Sequence, residues 1–519
     1  TPLYSSAASD VYKRQARSPG NRNIYTAIPD GGGLARIDFT DANAALLEPI
    51  LDDYNGETVG LINFIRGEGR SWKLGDINHS NPIVVGPPSG VASLKGSEYD
   101  AFFAAHQART KVMIVGSNDG MLHCFDVLTG EELWGFIPYN LLPRLKEMWQ
   151  VDPSTGDRFY DRKVYVDGSP MVDDVYTDGS WRTILICGQG PGKGSTLAGG
   201  TTGNFYFALD ITDPANPQPL WEFTHDTMGE SWSIPVIGKI DKGSDTWVCF
   251  VGSGYDNYAL AETGDCFYAV DLAVGEAFWY FDAGQVNTIT AHGFTWDIPN
   301  SIPGTPSQVD IDDDGLTDRV YVGDLEGRIW KMDVTPTFVD AGSWTAEVLY
   351  EDFKNYPIIS NAAVWMSASG MSAMPHIYFG TGGDDRAPND VIYSFIGLMD
   401  NEAATQEERV EWYMGDPGEL NLDPAKDVGD LAVGEKVWAD PKIADYTVYF
   451  NTLTGSIESV DPCENIAGAG QLYARFIVSK GGTAVGGTAI KTAGGPVENL
   501  SLSIKTRSAV SIGCLLYTS

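Results

Sequence analysis

The chain has 519 residues, and its 34 Lys and Arg stand against 70 Asp and Glu, a formal net charge of −36. With 20% charged and 43% hydrophobic residues it can bury a core and is too apolar for a disordered chain. A pI near 4.3 argues against nucleic acid as a partner, because phosphate backbones are held by dense Lys and Arg, and it argues equally against docking on anionic lipid.

Taken in chain order, the two ends do not match the interior. Leu3-Tyr4-Ser5-Ser6 is echoed by Leu516-Tyr517-Thr518-Ser519, and residues 1–15 and 514–519 read as non-native ends around a truncated frame, with an export signal expected upstream. Residues 16–77 form a lead-in. Its segments Ala42–Leu47 and Val59–Ile65 have apolar spacing near 3.6 and predict two short helices, with Pro49 and Asn55-Gly56 between them. No apolar run reaches the ~18 residues of a membrane-spanning helix.

From residue 78 to 513 the chain repeats itself. The 59 Gly and 59 aromatic residues (14 Trp, 24 Tyr, 21 Phe) point to short strands joined by tight turns. A proline entering an apolar run recurs at Pro82, Pro170, Pro235, Pro306 and Pro441, with spacings of 88, 65, 71 and 135 residues. The last gap is two periods, and Ala362-Ala363-Val364-Trp365 stands where a degenerate copy belongs. After each proline comes a strand ending in Gly (Gly116, Gly323), then a strand running into Asp (Asp126, Asp210, Asp271, Asp333), then a Trp-bearing strand (Trp134, Trp279). Four antiparallel strands per period of about 60–70 residues describe an all-β chain, a β-propeller of six to seven blades. Six units are expected between Asn78 and about Arg475. Gln471–Arg507 is expected to form a seventh or to complete the first.

Ahead of the strand at Val320 stands Asp310-Ile-Asp312-Asp-Asp314-Gly315-Leu316-Thr-Asp318. Carboxylates at positions 1, 3, 5 and 9, a glycine at 6 and a backbone carbonyl at 7, here Leu316, are what a calcium loop needs. Clustered carboxylates repel one another unless a cation neutralises them. Position 12 is Tyr321 rather than Glu and the flanks read as strands, so this is not an EF-hand. Asp310, Asp312, Asp314, Leu316 and Asp318 are therefore the expected Ca²⁺ ligands.

Other candidates carry less. Gly188–Gly194 has the look of a phosphate loop but lacks its first Gly and the magnesium-holding Ser or Thr, and it reads as a flexible loop between strands. His79, His106, His123, His225, His292 and His376 share no metal spacing. Asp173-Asp174 and Asp384-Asp385 read as solvated turns. Cys124, Cys187 and Cys249 lie in apolar runs, and with Cys266 and Cys463 they form no CxxC; pairing of Cys249 with Cys266 stays open. No nucleophile signature appears, so no catalytic residue is assigned.

Leu74-Gly75-Asp76-Ile77-Asn78-His79-Ser80-Asn81-Pro82, Gly116-Ser-Asn-Asp119-Gly120-Met-Leu-His123, Tyr165-Val-Asp167-Gly168-Ser169-Pro170 and Ala208-Leu-Asp210-Ile-Thr-Asp213-Pro214 resemble the C-terminal propeller of the PilC/PilY family of type IV pilus assembly proteins and tip adhesins. The resemblance runs from about Leu61 to Cys463. It implies a calcium-binding, non-enzymatic protein, exported to the pilus tip, outer membrane or cell surface of a Gram-negative bacterium. Its implied partners are pilins or minor pilins and a host or surface receptor, and its calcium occupancy would switch the pilus between extension and retraction. The family's variable N-terminal region is expected to lie upstream of this truncated frame, and Arg66-Gly67-Glu68 stands nearest to the Arg-Gly-Asp of some members. The rival readings are a quinoprotein dehydrogenase using pyrroloquinoline quinone, which also builds rings of Trp-rich blades, and a carbohydrate-binding propeller.

Overall fold

In the computed structural model the described residues are 18–514 except 52–55, 71–72, 89–96, 152–153, 155–157, 162, 196–201, 257–262, 284–287, 292–293, 298–299, 353, 368–373, 385–386, 402–403, 419, 455–469, 478–489, 492–499 and 506–508. The non-native stretch assigned to residues 1–15, most of that assigned to 514–519, His292, Cys463 and Asp385 lie outside them.

Six sheets follow one another along the chain, each antiparallel between consecutive strands. Blade 2 is Pro170–Thr177, Ser180–Ser195, Thr202–Asp210 and Gln218–Phe223, and blade 3 is Val236–Asp241, Asp245–Gly252, Cys266–Asp271 and Glu276–Asp282. Blade 4 is Ser307–Val309, Arg319–Gly323, Arg328–Asp333 and Thr345–Glu351; blade 5 is Ala363–Met366, Pro375–Gly380, Ser394–Met399 and Val410–Gly415. In blade 6, Glu435–Val437 and Lys442–Ala444 both pair with Thr447–Thr454, followed by Gly470–Phe476 and Ile490–Lys491. Each landmark proline enters or immediately precedes a blade's inner strand, and Ala362 does so for the degenerate copy. The six-unit propeller expectation therefore holds.

Blade 1 adds what the repeat did not foretell. Ile83–Val85, Val112–Ser117, Met121–Asp126 and Glu132–Ile137 form its four strands, and the hairpin Ile24–Asp30/Gly33–Asp38 extends it to six. Ile24–Asp30 pairs parallel to Glu132–Ile137. The lead-in is thus more than helical. Its helices Ala44–Leu47 and Thr58–Ile65 fall where the spacing put them, but it also completes the first sheet. Gly470–Phe476 belongs to blade 6, while Leu500–Lys505 and Ala509–Cys514 form a separate hairpin.

The blades are joined by seams, and glycines set their spacing. Gly116, Gly188, Gly252, Gly323 and Gly380 stand on the second strands of blades 1 to 5, all but Gly188 at or within a residue of the strand's end. Each presses on a residue entering the next blade, Val166, Ser231, Ile302, Ile358 and Val437 in turn. A Cβ there would lie no more than 2.5 Å from the facing atom, a backbone carbonyl oxygen in the first four. That facing residue always stands four positions before the landmark Pro or Ala. Toward the rim, tryptophans bridge the same seams. Trp134 Nε1 donates to the Pro214 carbonyl at 2.7 Å, Trp221 to Leu272 at 2.9 Å and Trp279 to Ala341 at 3.3 Å, always in the turn between the third and fourth strands of the next blade. Between blades 3 and 4, Phe250, Phe267 and Trp279 pack with Val320, Met332 and Trp344, and similar apolar layers fill the seams of blades 1 and 2, 2 and 3, 4 and 5, and 5 and 6.

A buried charge network clamps the lead-in to blade 1. The Arg22 guanidinium donates to both Glu132 oxygens at 2.7 Å. Glu132 also meets His123 Nδ1 at 2.9 Å, and His123 Nε2 meets Asp119 Oδ1 at 3.0 Å. Burial would lower the imidazole pKa, but Asp119 and Glu132 outweigh it and push it from 6.5 up to about 9.

Two expectations follow from seam and clamp. Gly252→Ala or Gly323→Ala forces a methyl against backbone and should destabilise by about 1–3 kcal/mol, read as a lower denaturation midpoint at unchanged slope. For His123 the folded pKa is the raised one, so its contribution is complete below 6.5 and is lost as pH climbs through about 9. Melting curves taken from roughly pH 6 to 10 should show that decline, worth at most a few kcal/mol, and a profile without it would mean that His123 is neutral in the folded protein.

Candidate metal centre

The acidic loop connects the first two strands of blade 4, Ser307–Val309 and Arg319–Gly323. Strand pairing ends at Val309 and resumes at Arg319, so the intervening residues turn back on themselves. Two of them take left-handed backbone, Asp313 at φ 63° and Gly315 at φ 86°, and the glycine is where the motif placed it. The carboxylates hold the turn. Asp310 Oδ1 and Asp312 Oδ1 each accept the Asp314 N–H at 3.2 Å. Asp310 Oδ2 accepts the Gly315 N–H at 2.7 Å, and Asp314 Oδ1 the Leu316 N–H at 2.7 Å.

Asp310, Asp312 and Asp314 each offer an oxygen, all within 4.8 Å of one another. Asp312 and Asp314 face solvent, and Asp310 is half-buried. Asp318, the fourth expected carboxylate, is not in this trio. It is buried at 6% exposure, and its Oδ2 accepts the Ile311 N–H at 2.6 Å. Burial raises its pKa against that hydrogen bond, and the Asp312, Asp310 and Asp314 carboxylates raise it further. An all-oxygen donor set with clustered negative charge suits a hard cation, and oxygens carried on an irregular turn suit calcium's variable coordination better than the strict octahedron of magnesium. The residues present fit the group. Tyr321, at the twelfth position, is buried in the following strand and donates to Asp400 at 2.7 Å, so no ligand comes from there.

The loop does not stand on blade 4 alone, a point invisible in the motif. The Thr317 N–H donates to the Lys239 carbonyl of blade 3 at 2.7 Å. Thr317 Oγ1 donates to Gln308 Oε1 at 3.0 Å, and Gln308 Nε2 to the Ile237 carbonyl at 2.6 Å. Gly238 makes room, since a Cβ there would strike Gln308 Oε1 and Thr317 Oγ1. The loop is therefore seated across the seam between blades 3 and 4. No sequence signal marks this, because the partners lie about one period apart.

The other candidates resolve into structure. Gly188–Gly194 lies within the long strand Ser180–Ser195 at a register shift, not in a free loop between strands. Its glycines admit neighbouring chain, since a Cβ at Gly192 would meet the Tyr165 carbonyl and one at Gly194 the Asn140 side chain. Cys124, Cys187, Cys249 and Cys266 are buried free thiols, so Cys249 and Cys266 do not pair. Asp174 is buried and accepts from Tyr99 and Thr183 rather than lying in water. Asp384 is buried too. His79 meets Asp167 at 2.6 Å and His376 meets Glu411 at 2.9 Å, with no shared metal spacing among the described histidines. In Arg66-Gly67-Glu68 the arginine is buried and donates to the carbonyls of Phe39, Pro19 and Arg22. That guanidinium holds the lead-in together and offers nothing at the surface.

Residues 74–347 match the model of the PilY1 beta-propeller domain. The chain belongs to this family. It is 32% identical over 343 residues to the type IV pilus biogenesis factor PilY1 of Pseudomonas aeruginosa strain UCBPP-PA14, covering 61% of this chain and 27% of that protein. A Xylella fastidiosa homologue of that factor is 31% identical over 395 residues, 69% of this chain and 29% of the relative. The chain thus spans less than a third of the length of either. The crystal structure of the P. aeruginosa PilY1 C-terminal domain superposes with a TM-score of 0.56 at 21% identity, over 83% of this chain and 97% of that one, and shows the same fold.

Proposed function

We propose that this propeller is a non-enzymatic, calcium-binding part of type IV pilus biogenesis. One Ca²⁺ is held by Asp310, Asp312, Asp314, the Leu316 carbonyl and Asp318, and the exported protein engages pilins or minor pilins at the pilus tip, outer membrane or cell surface. The observation that carries this reading is the trio of carboxylates within 4.8 Å, seated across a blade seam in a chain of the PilY1 family. The curated relatives are named as pilus biogenesis factors rather than enzymes, which supports the non-enzymatic assignment. No helix among the described residues is long and apolar enough to cross a membrane.

Asp310, Asp312 and Asp314 present the open face of the site, while Asp318 closes it from the strand end. Asp318 is fixed by strand pairing, its N–H donating to the Val309 carbonyl at 2.9 Å and its own carbonyl accepting the Val334 N–H at 2.8 Å. Calcium supplies charge neutralisation, and the loop transmits its presence to blade 3 through Thr317 and Gln308. A loop stiffened when loaded and loosened when empty gives the protein two mechanical states. That is the property a switch between pilus extension and retraction requires, and attachment to a host or surface receptor would be tuned with it.

Isothermal titration tests the site. Asp310→Ala or Asp318→Ala removes a ligand and a charge and should weaken calcium binding by orders of magnitude, since affinity in such loops spans about 10⁻⁹ to 10⁻³ M with ligand charge and rigidity. Calcium at ~100-fold over Kd should stabilise the wild type by about 2.7 kcal/mol, a shift the variants lose while keeping their all-β spectrum. Equal binding by wild type and the double variant Asp310→Ala/Asp318→Ala would reduce the loop to an acidic turn.

A further inference from the structure

Lys239 lies on the first strand of blade 3, Val236–Asp241, yet it belongs as much to the loop of blade 4. Its carbonyl accepts the Thr317 N–H at 2.7 Å, so lysine backbone and loop are tied together. Its ammonium nitrogen stands 3.7 Å from where a Cβ on Gly315 would be, against the middle of the turn. The same nitrogen is 2.9 Å from Asp245 Oδ2, with the lysine side chain 22% exposed and the aspartate 66%. One cation is therefore held beside the turn that carries Asp310, Asp312 and Asp314, with one rival anion pulling it away.

We propose that Lys239 is a fixed counter-charge that sets the calcium affinity of the loop. This rests on the calcium reading above and adds to it a residue from a different blade. In the metal-free protein the ammonium offsets part of the repulsion among the carboxylates. With the metal bound, the same ammonium repels a divalent ion. The attraction to the carboxylates persists when the metal binds, so the repulsion of the divalent ion is the net effect, and the lysine moves the affinity away from the tightest value the carboxylates could reach. Asp245 works in the opposite direction by holding the ammonium to itself. Between charges of +1 and +2 on neighbouring segments, screened largely by water and salt, this repulsion is on the order of a three- to tenfold change in an equilibrium.

Lys239→Met should therefore bind calcium about three- to tenfold more tightly than wild type at low salt, with the difference narrowing as ionic strength rises. Asp245→Asn should bind it more weakly, and Lys239→Arg should stay near wild type. Metal-free Lys239→Met should also melt lower than wild type and gain more on calcium addition, which a lysine serving only to pack the strand would not produce. Titration calorimetry and melting curves with calcium chloride read all of this. Calcium binding by Lys239→Met equal to or weaker than wild type overturns the proposal. Should that variant not fold, an unchanged Kd for Asp245→Asn overturns it instead. A wild type that binds no calcium at all sinks the calcium reading itself, a result distinct from equal binding by wild type and variant.

Discussion

The interaction on which this architecture depends is the contact of a second-strand glycine with the chain entering the next blade. A four-stranded sheet alone cannot bury both faces, so each blade is stable only against its neighbours. Sheets stacked through side chains sit about 10 Å apart, but at the inner ends of the blades the chains converge and there is no room for a Cβ. Gly116, Gly188, Gly252 and Gly323 meet this constraint against backbone carbonyls, and Gly380 meets it against the Val437 side chain. With the inner ends held close, the rim opens by the width of a tryptophan, and Trp134, Trp221 and Trp279 fill it while satisfying their indole N–H groups across the seam. The wedge shape of a blade follows from small residues inside and large ones outside.

That constraint explains how much of the fold could be read from the chain. The prolines, glycines and tryptophans recur because each performs the same task at each seam, and a degenerate unit remains recognisable at Ala362 because its position, rather than its proline, is what the seam needs. The first blade departs from the repeat. Its extra hairpin contains Pro29, and its turn Asp30-Gly31-Gly32-Gly33 is an Asp-Gly hairpin signal, with Gly31 at φ 58° and Gly32 at φ 96°. The signal was legible. The parallel pairing with Glu132–Ile137 was not, since it joins residues more than a hundred positions apart and rests on the buried Arg22–Glu132 pair. Neither partner carries a local pattern that names the other. Asp174 shows the same limit, reading as half of a solvated turn while the fold buries it beneath Tyr99 and Thr183.

The loop of blade 4 divides along the same line. Its spacing announces oxygen ligands around a glycine turn, and the turn forms with that glycine in left-handed backbone. The way the loop is seated follows from tertiary packing alone. Gln308, Thr317 and the absence of a Cβ at Gly238 create a hydrogen-bonded base on blade 3 that no window of ten residues contains.

The position of that base bears on how a surface loop could influence a rigid ring. Most loops of a propeller could be ordered or released without consequence, because they hang from a single blade. This one is bound to two, and it lies beside a seam whose spacing tolerates no added atom at Gly252. The chain leaving blade 4's third strand reaches the same end of blade 3, where the Phe338 N–H donates to the Asp241 carbonyl at 2.7 Å and Thr337 Oγ1 to Asp241 Oδ2 at 2.5 Å. Blade 3 is thus gripped by two segments of blade 4 around one strand end. Under the proposed calcium reading, the like charges of Asp310, Asp312 and Asp314 would strain one grip and a bound cation would relieve it. The apolar layer of Phe250, Phe267, Val320 and Trp344 joins the same two blades without using the loop, so in that reading the change would be confined to how firmly two blades hold each other.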